Sequence, residues 1–406
     1  MRRWPWIVLA VLFLSAPLVA WGVRRRVDHE WERMSARTAE RLAEIRSRRI
    51  GQPGDAGRIE PGDPWEAYDR AIARAAALPD DLDAELEAFA QGQPIAHRAN
   101  LVERIASESA VVEDLQRGAR RARAAPFREW ERGLSMPLPA EEAVRRAVLM
   151  AACRARLRDE EGRAREAVGV LLDVGIYADD FGRNGILFHE RISEEIGAIV
   201  AIGILDVLPR LTIQDAAYVA SRIEVLESGR PRGAMAWSND LVRIGIEVEH
   251  GPDFTGDGQF AGEITSWRYG FSTELAAAAG IHLAYDLADR ARDLDRMSWP
   301  EARRLAAEID AEMLVSPGPM APILPRLDGI QAERALLAQL RLIRMAVQWR
   351  ATGEAPAIAD PFGETLRWSV STGSLRAWSV GPDGVDDGGN GGWTEGADLV
   401  LRSSSP

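Results

Sequence analysis

The chain has 406 residues, 46% of them hydrophobic, so it is long enough to bury a sizeable core. Its net charge of −12 at pH 7 argues against nucleic acid as the main partner, because a phosphate-binding surface must be basic. All 50 basic residues are Arg, and without Lys a P-loop, a Schiff-base enzyme and a serine enzyme with a Lys base are excluded. Cys153 is the one cysteine, which excludes an internal disulfide and a thiolate zinc cluster.

The N-terminus predicts a membrane anchor over residues 1–26. Residues 6–23 form an almost unbroken apolar run that is about 27 Å long as a helix, close to the thickness of a bilayer core. Arginines flank the run on both sides, and Trp4, Trp6 and Trp21 lie near its ends, as interfacial aromatics do. The alternative is a signal peptide cleaved near residues 20–22. We expect an uncleaved single span.

Residues 27–58 are predicted to form a juxtamembrane helix followed by a linker. Trp31, Met34 and Leu42 fall near one stripe of a helix that extends to residue 50. The Gly- and Pro-containing residues 51–57 then break the helix. The amphipathic helix is predicted to be either a short coiled coil or a stalk packed on the body.

Residues 59–315 are predicted to form a body of several helices, either a bundle or irregular α-hairpins. Capping residues mark the helix starts at Asp63, at Thr212 with Asp215, and at Ser298 with Glu301. The most apolar segment, residues 186–208, is predicted to be the central buried helix. The main helices are expected over residues 81–90, 98–123, 140–158, 161–176, 186–208, 234–249, 272–293 and 299–314.

A Pro-rich connector, residues 316–330, precedes a C-terminal unit over residues 331–406. This unit begins with a helix over residues 331–350. Apolar residues then alternate at Leu366, Trp368 and Val370, and again after a four-residue turn. The alternation predicts a β-hairpin in which Trp368 packs on Trp378.

No catalytic motif that we tested is present in the sequence. The five histidines are dispersed, and no Ser lies in a G-x-S-x-G motif. Glu247 and His250 match the Glu-x-x-His half of a di-iron site, but no second copy exists. An enzyme is therefore the alternative prediction: a hydrolase whose carboxylates lie in a cleft of the helical body, with the candidates Glu190, Glu194, Glu247 and Asp253.

Two segments carry acids in patterns that suit Ca²⁺, which prefers oxygen ligands on a flexible backbone. In the first, Asp253 and Asp257 occupy positions one and five of an EF-hand-like loop, but its twelfth position is Ile264. That loop is predicted to be an ordinary turn. In the second, four aspartates accompany the Gly-rich tail and are predicted to bind calcium: Asp383, Asp386, Asp387 and Asp398.

The tail resembles the C-terminal region of the major pseudopilins of type II secretion. That family ends in D-P-[WF]-G, a hairpin, S-x-G-x-D-G, a Gly-rich spacer and A-D-[IL]. The matching residues are Asp360-Pro361-Phe362-Gly363, Ser379-Val380-Gly381-Pro382-Asp383-Gly384, Gly388-Gly389 and Ala397-Asp398-Leu399. The resemblance implies a structural calcium ion outside the cytoplasm, with Asp383 and Asp398 as ligands, while Asp386 and Asp387 are candidates from their chemistry alone.

The resemblance covers about 45 residues. It does not extend to the N-terminus, since residues 1–23 lack the Gly and Glu of a prepilin leader. The whole layout resembles single-pass anchored proteins of GC-rich bacteria. Arginines 24–26 favour a body on the cytoplasmic side of the membrane, whereas the tail favours the extracytoplasmic side. We expect the extracytoplasmic placement. The sequence thus predicts a mainly α, inner-membrane, extracytoplasmic protein. It is expected to act as a non-enzymatic scaffold with protein partners and a possible link to a secretion or pilus-like apparatus.

Overall fold

The computed structural model describes residues 4–48, 60–229, 233–250, 271–314, 329–371, 373–392 and 398–404. Side chains are described from residue 20 onward, except at residues 134, 135, 229, 233, 250, 271–277, 329 and 404. The fold is mainly helical and ends in a small sheet, as the sequence predicts. The helices are α1 (Trp4–Ser47), α2 (Trp65–Ala76), α3 (Leu82–Ala90), α4 (Arg98–Ser107), α5 (Ser109–Ala119), α6 (Glu141–Glu160), α7 (Ala164–Gly182), α8 (Leu187–Val207), α9 (Ile213–Gly229), α10 (Gly233–His250), α11 (Phe271–Ala291), α12 (Trp299–Leu314) and α13 (Gly329–Thr352). The strands are β1 (Arg367–Ser371), β2 (Ser374–Ser379), β3 (Gly391–Gly392) and β4 (Asp398–Ser404).

Helix α1 is continuous, and its second half packs on α10 and α11. Val27, Met34 and Ile45 are buried in this contact, and the hydroxyl groups of Thr38 and Tyr285 lie 2.9 Å apart. The second half of α1 is therefore packed on the body, which is one of the two arrangements that the sequence leaves open.

Within the described residues, no helix combines the length and the apolar character that are needed to cross a bilayer. The anchor over residues 1–26 stays a prediction.

The centre of the body consists of α6, α7 and α8, which pack on one another in chain order. Short connections join them, so neighbouring helices run antiparallel. Val148, Leu172 and Ile196 lie in their shared core. Helix α8 is less enclosed than the sequence predicts, because Ile202 is 42% exposed. Helix α13 packs on α8 and α9 and also on β2 and β4, so it joins the body to the sheet.

The single helix predicted over residues 98–123 is wrong, because α4 ends at Ser107 and α5 begins at Ser109. The break lets α5 turn to pack against α2. At the contact, a Cβ on Gly118 would overlap the ring of Tyr68, so the two helices approach more closely than larger side chains allow. The predicted helix starts at Thr212 and Ser298 are confirmed by hydrogen bonds from their hydroxyls to Asp215 and Glu301.

The sheet has the strand order β1-β2-β4-β3, with β3 and β4 parallel and the other pairs antiparallel. The hairpin of β1 and β2 is present, but the predicted packing of Trp368 on Trp378 is wrong. Trp368 lies opposite Ala377, and Trp378 lies opposite Arg367. Successive residues of a strand point to opposite faces, so the two indoles lie on different faces of the sheet.

The buried Arg146 ties α6 to the end of α2. Its guanidinium donates hydrogen bonds to the carbonyl oxygens of Ala75 and Leu78 and to the carboxylates of Asp80 and Asp83. These contacts satisfy helix carbonyls that have no partner within α2 itself.

We expect Arg146→Ala to lower the free energy of unfolding by about 3 kcal/mol, because the buried carbonyl group of Leu78 and the carboxylates of Asp80 and Asp83 lose the donor that Arg146 supplies. Urea unfolding followed by circular dichroism measures the change. The adjacent Arg145 pairs with Glu87 at 3.0 Å on the surface, so Arg145→Ala is the control and should cost less than about 1 kcal/mol. Equal losses for the two variants would contradict the role of Arg146.

Candidate metal site

The candidate metal site lies between the end of β2 and the start of β4. Asp398 is the first residue of β4 and is fully buried. The backbone folds back toward it at Gly388 and Gly389, both with φ near +70°, a conformation that glycine adopts without strain. The N–H of Gly389 then donates a 2.7 Å hydrogen bond to Oδ2 of Asp398.

The other carboxylate oxygen of Asp398 is not compensated. Among the described residues, Oδ1 has no hydrogen-bond partner. Burial raises the pKa of Asp398 above its ordinary value, and the neighbouring Asp386 and Asp387 carboxylates raise it further. The backbone N–H groups of Gly389 and Asp387 act in the opposite direction. A buried oxygen with excess negative charge beside it is a position that favours a cation.

Asp386 lies in the same loop but has its own partners. Its Oδ1 accepts hydrogen bonds from Nε1 of Trp378 at 2.9 Å and from the N–H of Gly388 at 3.0 Å. Its Oδ2 pairs with Nε of Arg367 at 2.9 Å. The hydrogen bond from Trp378 is the main cause of its lowered pKa. Asp386 therefore carries a stable negative charge that Arg367 already balances.

The remaining two predicted ligands are exposed. Asp387 is close enough to Asp398 to raise its pKa. Asp383 uses Oδ1 to accept the N–H of Val385 at 3.0 Å in a local turn. Of the other predicted ligands, Asp386 and Asp387 thus lie near enough to Asp398 to raise its pKa. Within the described residues, no group of three or more His, Cys, Asp or Glu side chains is arranged to hold one metal ion.

Asp360 organises the same region through hydrogen bonds that its place in the Asp-Pro-Phe-Gly motif does not predict. It is buried, and its carboxylate accepts hydrogen bonds from the N–H groups of Phe362 and Val380 and from the hydroxyl of Ser379. These bonds connect the segment before β1 to the end of β2. The Asp-Pro pair was a usable signal for a turn, but its partner 20 residues away was not visible in the sequence.

The carboxylates of the hydrolase alternative lie in the helical body. Glu190 and Glu247 are buried, Glu194 is half-buried, and each has an interaction with the rest of the chain. Beside Glu190, burial holds the pKa of His189 well below its ordinary value, and Arg128 lowers it further. Asp253 and the EF-hand-like loop lie outside the described residues.

No protein-family model matches the chain, and the searches of curated proteins and of solved structures find no match.

Arg334 and Trp299 hold the sheet against the helical body. The Arg334 guanidinium donates to the carbonyl oxygens of Pro361, Leu294 and Met297 and lies 5.3 Å from the ring centre of Trp299. Trp299 in turn donates to the carbonyl oxygen of Pro382, at the start of the Asp-Gly loop.

We expect Arg334→Leu to lower the free energy of unfolding by about 3 kcal/mol, since three hydrogen bonds from the guanidinium to backbone carbonyl groups are lost. The substitution should also accelerate amide hydrogen exchange more in β2 and β4 than in α6 and α7. The control is Arg304→Leu. Arg304 is exposed, and its ion pair with Glu308 is long at 4.0 Å, so its removal should lower the free energy of unfolding by less than about 1 kcal/mol. Unchanged exchange in the sheet would contradict the role of Arg334.

Proposed function

We propose that the protein is a membrane-anchored, non-enzymatic helical scaffold whose C-terminal sheet is stabilised by calcium outside the cytoplasm. The observation that carries the proposal is the buried, uncompensated Oδ1 of Asp398. The resemblance of the tail to pseudopilins extends the proposal to a role beside a secretion or pilus-like apparatus of the bacterial inner membrane. The carboxylate hydrolase is the alternative.

The membrane part of the proposal is supported by the apolar residues 6–23 and by the continuity of α1. That helix passes from the apolar run into the body without interruption, so a span there would be attached rigidly. Arg24, Arg25 and Arg26 are exposed at the point where α1 leaves the body. Exposed arginines at this position suit the headgroup region of a bilayer.

The calcium part of the proposal assigns Asp398 and Asp387 as ligands, together with Asp383, which uses one oxygen in its local turn. Asp386 stays near the ion, although Arg367 and Trp378 occupy its carboxylate. Ca²⁺ also accepts backbone carbonyl oxygens, which the Gly-rich loop can supply. The ion would neutralise the acids around Asp398 and tie the loop to β4.

We expect Ca²⁺ to raise the melting temperature of the full-length protein in neutral detergent relative to a chelator. At a hundredfold excess over Kd the gain in stability is about 2.7 kcal/mol. Asp398→Asn should abolish the shift, because the neutral amide does not replace the carboxylate as a ligand. Glu364→Gln, an exposed acid of the same C-terminal unit, is the control and should keep the shift. A full shift in Asp398→Asn would contradict the calcium assignment.

The calcium-induced shift should also depend on pH, because protons compete for Asp398. As pH falls through the raised pKa of Asp398, the carboxylate gains a proton and the shift should shrink. Without calcium, a fall in pH should instead raise the stability of the folded protein. Between the ordinary and the raised pKa the folded state binds the extra proton, so acidification stabilises it. Melting temperatures across this range, with and without Ca²⁺, measure both effects, and Asp398→Asn should remove both.

The anchor predicts that the protein stays in membranes after alkaline carbonate extraction. Leu9→Arg combined with Leu14→Arg should release it, since each Arg at the centre of a span costs about 3 kcal/mol. The same two positions changed to Phe are the control and should retain the protein. A C-terminal alkaline phosphatase fusion should be active, which requires export. An inactive but stable fusion would contradict the extracytoplasmic placement.

A further inference from the structure

A groove of about 830 Å³ runs between α6 and α8, on the surface of the helical body. We call it the α6/α8 groove. Its apolar lining includes Leu149 and Ala152 of α6, Leu171 of α7, and Ile199 and Ile202 of α8. Ile202 is 42% exposed, although it belongs to one of the most apolar helices of the chain. The volume lies within the range of ligand-binding sites in proteins, so this surface has room for an occupant.

The groove is straight and firmly supported. On α8 its lining residues include Glu195, Ile199, Ile202 and Asp206, which are spaced by four, three and four positions and so share one helix face. That face extends about 16 Å along the axis. Beneath it, a Cβ on Gly203 would lie 2.9 Å from Leu171, so the α8 backbone rests directly on α7. The floor is therefore part of the packed core.

The charge of the groove is asymmetric. Five carboxylates and three guanidinium groups line it, which gives an excess of two negative charges. Each arginine pairs with an acid of the groove. Arg145 contacts Glu87 at 3.0 Å, Arg156 contacts Glu160 at 3.5 Å, and Arg210 contacts Asp159 at 2.7 Å.

The excess negative charge belongs to Glu195 and Asp206, at opposite ends of the groove. Glu195 has a long contact of 3.8 Å with Arg191, and both side chains are exposed. Partial burial raises the pKa of Asp206, and the positive charges of Arg156 and Arg210 act in the opposite direction. An occupant that complements this surface needs an apolar face and two cationic groups about 16 Å apart.

We propose that the α6/α8 groove binds an amphipathic α-helix of a partner protein, with its apolar face on Ile199 and Ile202. Two basic residues of that helix, eleven positions apart, lie over Glu195 and Asp206. A helix keeps positions i and i+11 on one face and about 16 Å apart, which matches the two acids. The small side chain of Ala152 lets a helix approach closely. The inference rests on the proposed interaction role of the body, and it names the chemistry of the partner.

The test uses the full-length protein in neutral detergent and synthetic 18-residue amphipathic peptides labelled with a fluorophore. The first peptide carries Lys at positions 3 and 14 beside a Leu/Ala face. The second carries Glu at the same positions, and the third carries Lys at positions 3 and 10. Fluorescence anisotropy should show saturable binding of the first peptide, weaker binding of the third, and the weakest binding of the second. Binding should weaken as salt is raised.

Variants of the groove should weaken binding of the first peptide in proportion to what each residue supplies. Ile202→Asp should reduce the affinity at least tenfold, because it places a charge under the apolar face. Asp206→Asn and Glu195→Gln should each reduce it about two- to fivefold, as exposed ion pairs do. The matched controls lie outside the groove. They are Ile213→Asp on α9, where Ile213 is 59% exposed, and Glu103→Gln on α4, where Glu103 is exposed. Both variants should bind the first peptide as tightly as the unmodified protein does.

Three results of the binding measurements would overturn the inference: no saturable binding up to about 1 mM peptide, equal binding of the Lys and Glu peptides, or unchanged binding by Ile202→Asp. Circular dichroism of the bound peptide separates a helical occupant from an extended one, and an extended peptide would also contradict it. The calcium shift and the carbonate extraction are measured on the same preparations. If they hold while peptide binding fails, the groove assignment fails alone and the proposed function stands.

Discussion

The contact of Arg334 with three backbone carbonyl groups is the constraint on which the C-terminal part of the molecule depends. It joins α13 to the segment before α12 and to the segment before β1. Because Trp299 stacks against the same guanidinium and donates to Pro382, the start of the Asp-Gly loop is fixed as well. The loop that precedes Asp398 is thus held by the helical body at its first residues as well as by the sheet. A cation bound there would stabilise contacts well beyond the loop.

The same use of arginine recurs at other helix ends of this lysine-free chain. Arg146 donates to the carbonyl groups of Ala75 and Leu78 around the end of α2. Arg128 donates to those of Phe181, Arg183 and Asn184 around the end of α7, and Arg350 to those of Pro209 and Leu211 after α8. The planar guanidinium has five donors in a fixed arrangement, so one side chain can satisfy several carbonyl groups that a helix leaves unpaired. A lysine ammonium, with three donors on one atom, does not span such a set.

The helices were predictable because their signals are local. Apolar spacing and capping residues gave α3 and α12 almost to the residue, since both depend on neighbours within one or two turns. The features that were missed depend on distant partners. The break between α4 and α5 goes together with the packing of α5 on α2, where Gly118 meets Tyr68, and the register of β1 on β2 separates Trp368 from Trp378. Likewise, Asp-Gly spacing pointed to four aspartates, but not to which carboxylate is buried.

Burial and local compensation, more than residue type, distinguish the acids of the candidate sites. Asp386 and Asp398 are close together, yet their pKa values shift in opposite directions. Asp386 is exposed and bonded to Trp378 and Arg367, so its charge is already stabilised. Asp398 is buried with one oxygen unbonded, so its charge is costly until a cation is present. In the α6/α8 groove, compensation alone separates the two acids. The buried Asp159 is neutralised directly by Arg210, whereas Asp206 is exposed and has no ion pair among the described residues. In both places, a carboxylate without a direct cationic partner indicates where an external positive charge can bind.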